Sequence, residues 1–270
     1  MLDVFNFPTP QQSNFQEFYG GTISQNTIRT WVKPRGASMV RFMLIGAGGG
    51  GGNGSGTSGG GGGGSGAITS WIGPALFIPD ILNIRVGSGG VGNTAGDPSL
   101  IYYRSSNGEN LLLRANGGGG GGTTAGGSAG NPMSRNQFTA SGIFTSLQGQ
   151  NGAAGGSTGA GSSVALTNIF LSGGAGGSGS ATGSGGGISV NYGYPNITVT
   201  AIGGTTAAKD GYFLTQPILV GCGGAGGSTN ATGLGSGGGR GGIGCGGGGS
   251  GEDASSGGRG GDGAVFIWAW

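Results

Sequence analysis

Gly46-Ala47-Gly48-Gly49-Gly50-Gly51 follows an apolar stretch and satisfies the spacing GxGxxG. That spacing holds a dinucleotide when a helix opens at the third glycine and an acidic residue follows about twenty positions later. Neither condition is met, because glycine dominates as far as residue 66 and no carboxylate occurs between Glu17 and Asp80. The GxxxxGK[ST] spacing of a phosphate loop is absent. The chain has no histidine, which removes the commonest general base and the commonest metal ligand together. Asp97, Glu109, Asp210, Glu252, Asp253 and Asp262 are scattered, and only Glu252 and Asp253 are adjacent. A two-carboxylate hydrolase depends on a separation in space, and a lone charge in a loop is ordinarily a solvated one. Cys222 and Cys245 lie inside glycine runs and are too few for a metal cage. They are read either as one disulfide or as two buried free thiols. The expectation is a non-enzymatic protein with no catalytic residues, no cofactor and no metal.

The residues able to recognise something are the aromatics. Tyr and Trp give a large, rigid contact area at low entropic cost. Trp71, Phe77, Phe138, Phe144, Tyr192 and Tyr194 fall where the chain must turn between glycine runs and are the candidate binding residues. The segments 74–80, 131–148 and 189–196 are the candidate binding loops. The competing assignment is that such aromatics cap the glycine region or fill a small β core.

These residues need elements to position them. Short apolar or aromatic runs read as strands: 22–24, 27–32, 38–45, 67–72, 81–86, 100–103, 111–114, 164–171, 188–192, 197–202, 212–214 and 264–270. Pro34-Arg35-Gly36 supplies a turn between the second and third. The closing strand 264–270 is expected to pair with the strand ending at Ile45. No segment carries a sustained 3.6-residue apolar period, and glycine disfavours helix interiors by about 1 kcal/mol each, so α-helix should be nearly absent.

Between the strands, glycine takes over. It supplies 77 of 270 residues, and charged residues only 7%. Net charge is +2 without a basic stripe, which points away from nucleic acid and anionic membrane. No run of eighteen apolar residues suggests membrane insertion. The main tracts are 46–66, 117–130, 149–161, 173–187, 221–227, 233–251 and 256–263. Flexible linkers do not alternate repeatedly with aromatic segments, and collagen requires a strict Gly-X-Y repeat that is missing. The remaining solution is a bundle of polyglycine II helices: three residues per turn, about 3.1 Å rise per residue, no internal hydrogen bonds. Its lateral N–H and C=O groups then find partners on neighbouring helices, as buried backbone requires. Interior rows should be glycine, with Gly119 an example, and the interspersed Ser, Ala and Thr should face the surface. The fold class is therefore mainly β and irregular: a polyglycine II bundle capped by short strands. An N-terminal β-rich attachment segment, 1–45, precedes a glycine-rich domain, 46–270.

Trp31-Val-Lys-Pro34, a turn, an apolar strand and Gly46-Ala-Gly-Gly-Gly-Gly resemble the opening of glycine-rich domains in phage tail proteins, and Gly260-Gly-Asp-Gly-Ala-Val-Phe-Ile resembles their final strand. The resemblance covers about residues 30–270. The wider group includes polyglycine II tip adhesins of T-even-like phage tail fibres. The resemblance implies a virion surface protein, a tail fibre tip or tail adhesin contacting a bacterial receptor, protein or glycan. It would be held to other virion proteins through residues 1–45, with self-association as a further option. A purely structural virion component is the alternative, and an ice-binding protein a distant one.

Overall fold

The computed structural model describes residues 14–21, 28–166, 170–179, 183–190, 197–199, 208–214, 220–230, 232–253 and 256–270. Among these residues fourteen strands are formed: β1 Asn14–Tyr19, β2 Ile28–Val32, β3 Met39–Ile45, β4 Ile68–Pro74, β5 Ile81–Arg85, β6 Ser99–Ser105, β7 Gly108–Ala115, β8 Ile143–Leu147, β9 Val164–Leu166, β10 Ile188–Val190, β11 Ile197–Val199, β12 Phe213–Leu214, β13 Val220–Gly221 and β14 Ala264–Ala269. Two single 3-10 turns, Ala75–Phe77 and Thr139–Ser141, are the helical elements among the described residues. The fold is mainly β and irregular, as the composition demands.

Two sheets make a sandwich. One has the order β1-β14-β3-β4-β8, the other β2-β5-β6-β7. The expected pairing of the closing strand holds: Ala264 lies opposite Ile45 and Ala269 opposite Val40. Their facing sides bury Phe18, Val40, Phe42, Leu44, Trp71, Val265 and Ile267 against Trp31, Leu82, Ile84, Ile101 and Leu113. Burying side chains of this size contributes about 1.5–3 kcal/mol each. β1 and β3 belong to this sheet, so the described part of the expected attachment segment is built into the sandwich. β3 runs directly into the first glycine tract.

The glycine tracts are straight rods, and their hydrogen bonds repeat every third residue. Residues 46, 49 and 52 donate to the carbonyls of 67, 64 and 61, while 47 and 50 donate to 97 and 94, and 48 and 51 to 261 and 258. Three successive residues thus address three different neighbours, the lateral pattern of a helix with three residues per turn. The rod 59–67 shows the complete case. It donates to rods 149–156, 244–250 and 116–122, and accepts from rods 46–52, 126–130 and 173–177. That is six neighbours, a hexagonal lattice. Rods 46–52, 172–179 and 244–251 are bonded on all sides in the same manner. Most buried N–H and C=O groups of such a rod bond directly to the backbone of a neighbouring rod.

Close approach is what glycine permits here. A Cβ on Gly48 would collide with the carbonyl of Cys245, and one on Gly177 with that of Ser250. Gly119 is less demanding than its sequence position suggests: it is half-buried, and its Cβ would meet the Ser128 hydroxyl at 2.5 Å.

One expectation holds only in part. Ser128 and Ala154 are exposed on outer rods, but many small residues within the rods do not point to the surface. Ser65, Ser172, Ser178, Ser250, Ala47, Ala175 and Ala225 are all wholly buried. The serines replace lattice bonds. Ser65 donates to the Leu171 carbonyl and accepts from the Gln150 amide, Ser172 accepts from the Gly223 amide, and Ser250 accepts from the Gly54 amide. A hydroxyl bridges the gap that its own Cβ opens between rods.

The molecule has two poles. β3 and β4 connect to rods at Ile45–Gly46 and Ala67–Ile68, so the opposite ends of these strands lie far from the bundle. The segments 33–38, 74–80, 105–108 and 136–142 gather at that sheet pole. The turns 53–57, 91–94, 122–125 and 156–159 gather at the other.

Candidate recognition surface and adjacent cleft

Trp71 lies in the interior. It sits on β4, fully buried, with its ring 5.9 Å from Phe42 and 4.6 Å from Phe138. It is a core residue, and its placement corrects the expectation that it could contact a partner. Alternation along β4 carries the signal: Ile68, Ser70 and Ile72 take one face, Thr69, Trp71 and Gly73 the other. Phe138 covers the outer side of Trp71, and Phe144 pairs directly with Trp71 across β8. Both are half-buried at the edge of the core. The loop expected over 131–148 thus contains a strand, because Ile143–Leu147 completes the sheet edge beside β4. Tyr192 and Tyr194 lie outside the described residues, as does the end of the 189–196 loop.

Phe77 is the candidate that faces solvent, 53% exposed beside Leu76 at 87%. The 3-10 turn bearing them is fixed by Lys33, whose ammonium donates to the carbonyls of Ala75 and Ile78 and pairs with Asp80 at 2.8 Å. Val32, next to Lys33, lies opposite Ile81, and both are exposed. Val32, Leu76, Phe77 and Ile81 are therefore exposed apolar residues on segments that Lys33, which the sequence did not single out, ties together at the sheet pole.

A second feature crosses the outer face of the five-stranded sheet. Phe15, Trp268, Arg41, Ile72 and Ile143 occupy one cross-strand row, each opposite the next. Phe15 stacks on Trp268 at 5.1 Å, and the Arg41 guanidinium lies 5.1 Å from the Trp268 ring.

Beside the β1 edge opens a cleft of about 420 Å³, lined by Tyr19, Tyr212, Arg240, Ile243, Arg259, Asp262 and glycine backbone. Arg259 is paired with Asp262, whose carboxylate also accepts from the Gly89 amide. The Asp210 carboxylate accepts from the Arg240 amide. The sequence signal for this cleft is a pair of charged residues three apart, Arg259 and Asp262, inside a glycine tract.

Cys222 and Cys245 are free and buried, which settles the alternative in favour of thiols. Burial pushes both thiols up, Cys245 the further, and burial likewise raises the Tyr212 phenol. Such thiols are unreactive in the folded state. Gly46–Gly51 forms an interior rod enclosed by other rods, with no helix following. Among the described residues, no group of three His, Cys, Asp or Glu side chains could hold a metal ion, and no helix is long and apolar enough to cross a membrane.

Fold and surface together define a mainly β protein with a glycine-rod lattice and exposed apolar residues at its sheet pole. The chain belongs to the glycine-rich domain family, which matches residues 22–270. No curated protein matches the sequence significantly.

Proposed function

We propose that this protein is a phage virion surface adhesin, at a tail fibre tip or elsewhere on the tail, that contacts a bacterial surface receptor. The observation that carries the proposal is the exposure of Val32, Leu76, Phe77 and Ile81 on a rigid support. Exposed apolar side chains gathered at one pole are the kind of surface that partners cover, and a lattice whose bonds are lateral and mutual gives them a fixed mount.

A purely structural place on the particle is the second reading, favoured by one observation. β1 starts at the same pole, Asn14 lying opposite Ala269. The described start of the segment expected to dock to other virion proteins therefore lies at the pole that carries these exposed residues.

Labelled protein added to a panel of bacteria tests the first reading. It should bind susceptible strains and reduce phage infection of them, and Leu76→Asp with Phe77→Asp should abolish both effects while leaving the melting temperature unchanged. Absence of binding and of blocking by the unaltered protein would remove the adhesin role.

A further inference from the structure

The hydrogen bonds of the rod 256–263 leave one side of it open. Gly258 and Gly261 donate to Gly248 and Cys245, and Gly260 and Gly263 donate to Gly90 and Gly87. The remaining third of the amides, Arg259 and Asp262, has no acceptor among the described residues. On the neighbouring rod 236–242 the same count applies to acceptors. The carbonyls of Gly239 and Gly242 receive bonds from Gly248 and Cys245, and that of Arg240 from Gly211. Those of Gly238 and Gly241 receive none from the described residues.

In a hexagonal lattice these two open sets face the same position. The rods are neighbours, since Gly238 and Gly241 donate to the carbonyls of Ser256 and Arg259. Donors and acceptors alternate around each rod. The direction next to this contact is therefore the 259/262 amide direction on one rod and the 238/241 carbonyl direction on the other. The cleft lined by Arg259–Gly263, Arg240–Ile243, Gly211–Phe213 and Tyr19–Gly20 holds the Arg259, Asp262 and Gly241 part of this direction, and Gly238 lies one turn beyond its lining.

We infer that this cleft is a vacant lattice position that binds one more extended, glycine-rich strand with three residues per turn. Two amides and two carbonyls, each pair three residues apart, match the repeat of such a strand, about 9 Å per turn. Inside the bundle, the same arrangement is filled by a glycine rod wherever it occurs. The occupant is glycine-rich because a Cβ at most positions of such a contact would strike a carbonyl, as it would at Gly48 and Gly177. It comes from a different polypeptide, because the described rods of this chain are already bonded within their own bundle. This site is independent of the receptor-binding proposal, and neither requires the other.

The test uses the full protein and a synthetic peptide with the sequence of residues 172–179, Ser-Gly-Gly-Ala-Gly-Gly-Ser-Gly. In NMR titration the Arg259 and Asp262 amide signals should shift saturably. Arg259→Pro removes one amide while keeping a backbone angle that the rod already adopts. It should weaken binding by roughly tenfold, the loss of about one hydrogen bond plus steric block. Arg259→Ala keeps the amide and should bind as the unaltered protein does. Absence of saturable shifts at these two amides, or equal binding by Arg259→Pro, would overturn the inference. If Arg259→Pro does not fold, the shifts of the unaltered protein decide. Concentration-dependent self-association that Arg259→Pro abolishes would also overturn it, by making the occupant a second copy.

Discussion

The sandwich and the bundle hold together by opposite means. In the sandwich, Trp31, Phe42, Trp71 and Leu82 exclude water through their side chains, and the backbone bonds mainly along the strand ladders of each sheet. In the bundle the backbone carries the lattice: it bonds to neighbouring rods on all sides, with a few buried serine hydroxyls standing in, and the scarcity of side chains is what brings rods within hydrogen-bonding distance. A core of side chains tolerates changes of shape at moderate cost. A core of backbone has no rotamer to adjust, so one added methyl must displace a whole rod. Glycine loses more backbone entropy on folding than other residues. The lattice offsets this because each ordered residue can satisfy both of its polar groups.

The sharpest test of this contrast is Gly48→Ala. Its methyl would enter the carbonyl of Cys245 on a rod that is itself enclosed. The expected loss exceeds about 4 kcal/mol, at the exceptional end for one substitution, and would appear as a collapsed denaturation midpoint or failure to fold. Loss below about 1 kcal/mol would mean that the rods can separate, and the lattice description would fail.

Trp71→Ala probes the other region. It removes a buried ring in contact with Phe42 and Phe138 and should cost about 3–5 kcal/mol by urea denaturation. Adding one carbon to the bundle should thus rival removing a whole indole from the sandwich.

Ser65→Ala comes next. The hydroxyl both donates to the Leu171 carbonyl and accepts from the Gln150 amide at 2.8–3.1 Å. Alanine leaves two buried backbone groups without partners and should cost about 1–3 kcal/mol. Ser65→Gly should cost less, because the rods can then close the gap.

How much of this was open to reading from the chain follows the same division. Pairing of β3 with β14 could be read because both strands are apolar and bracket the glycine region. The rods themselves could be read because runs of glycine separated by aromatic turns admit few ordered structures. The lattice register could not. It depends on which carbonyl each amide meets, and glycine tracts of near-identical composition do not encode their neighbours locally. For the same reason Ser65, Ser172 and Ser250 looked like surface residues: their burial follows from a neighbour whose identity emerges only in three dimensions. Trp71 was open to reading by β alternation but was masked by its place at the end of a glycine tract. The cleft, Lys33 and the exposed residues around Phe77 combine residues from distant tracts.

The buried thiols give a pH-dependent comparison. Cys222 and Cys245 have folded pKa values raised from the ordinary 9.0, mainly by burial. Below the unfolded value both states hold the proton and stability is unaffected. As pH rises past about 9, the unfolded chain ionises while the folded chain cannot, so stability falls until the folded pKa is reached. Unfolding free energy should therefore decline above pH 9, and substituting both cysteines by alanine should flatten that decline. An unchanged slope in the double variant would show that these thiols are not linked to bundle stability.

The smallest effect is the most discriminating, because its sign reverses. Gly159 is a rod residue by sequence, yet a Cβ there meets nothing within 4 Å. Gly159→Ala should stabilise by about 0.4–1 kcal/mol, by restricting the unfolded chain without touching the lattice. The same glycine-to-alanine change therefore ruins the fold at Gly48 and improves it at Gly159, and only the position of the next rod separates the two outcomes. A midpoint lowered at Gly159 would mean that the rods beyond residue 156 are packed as tightly as the interior, and that the lattice extends further than its hydrogen bonds indicate.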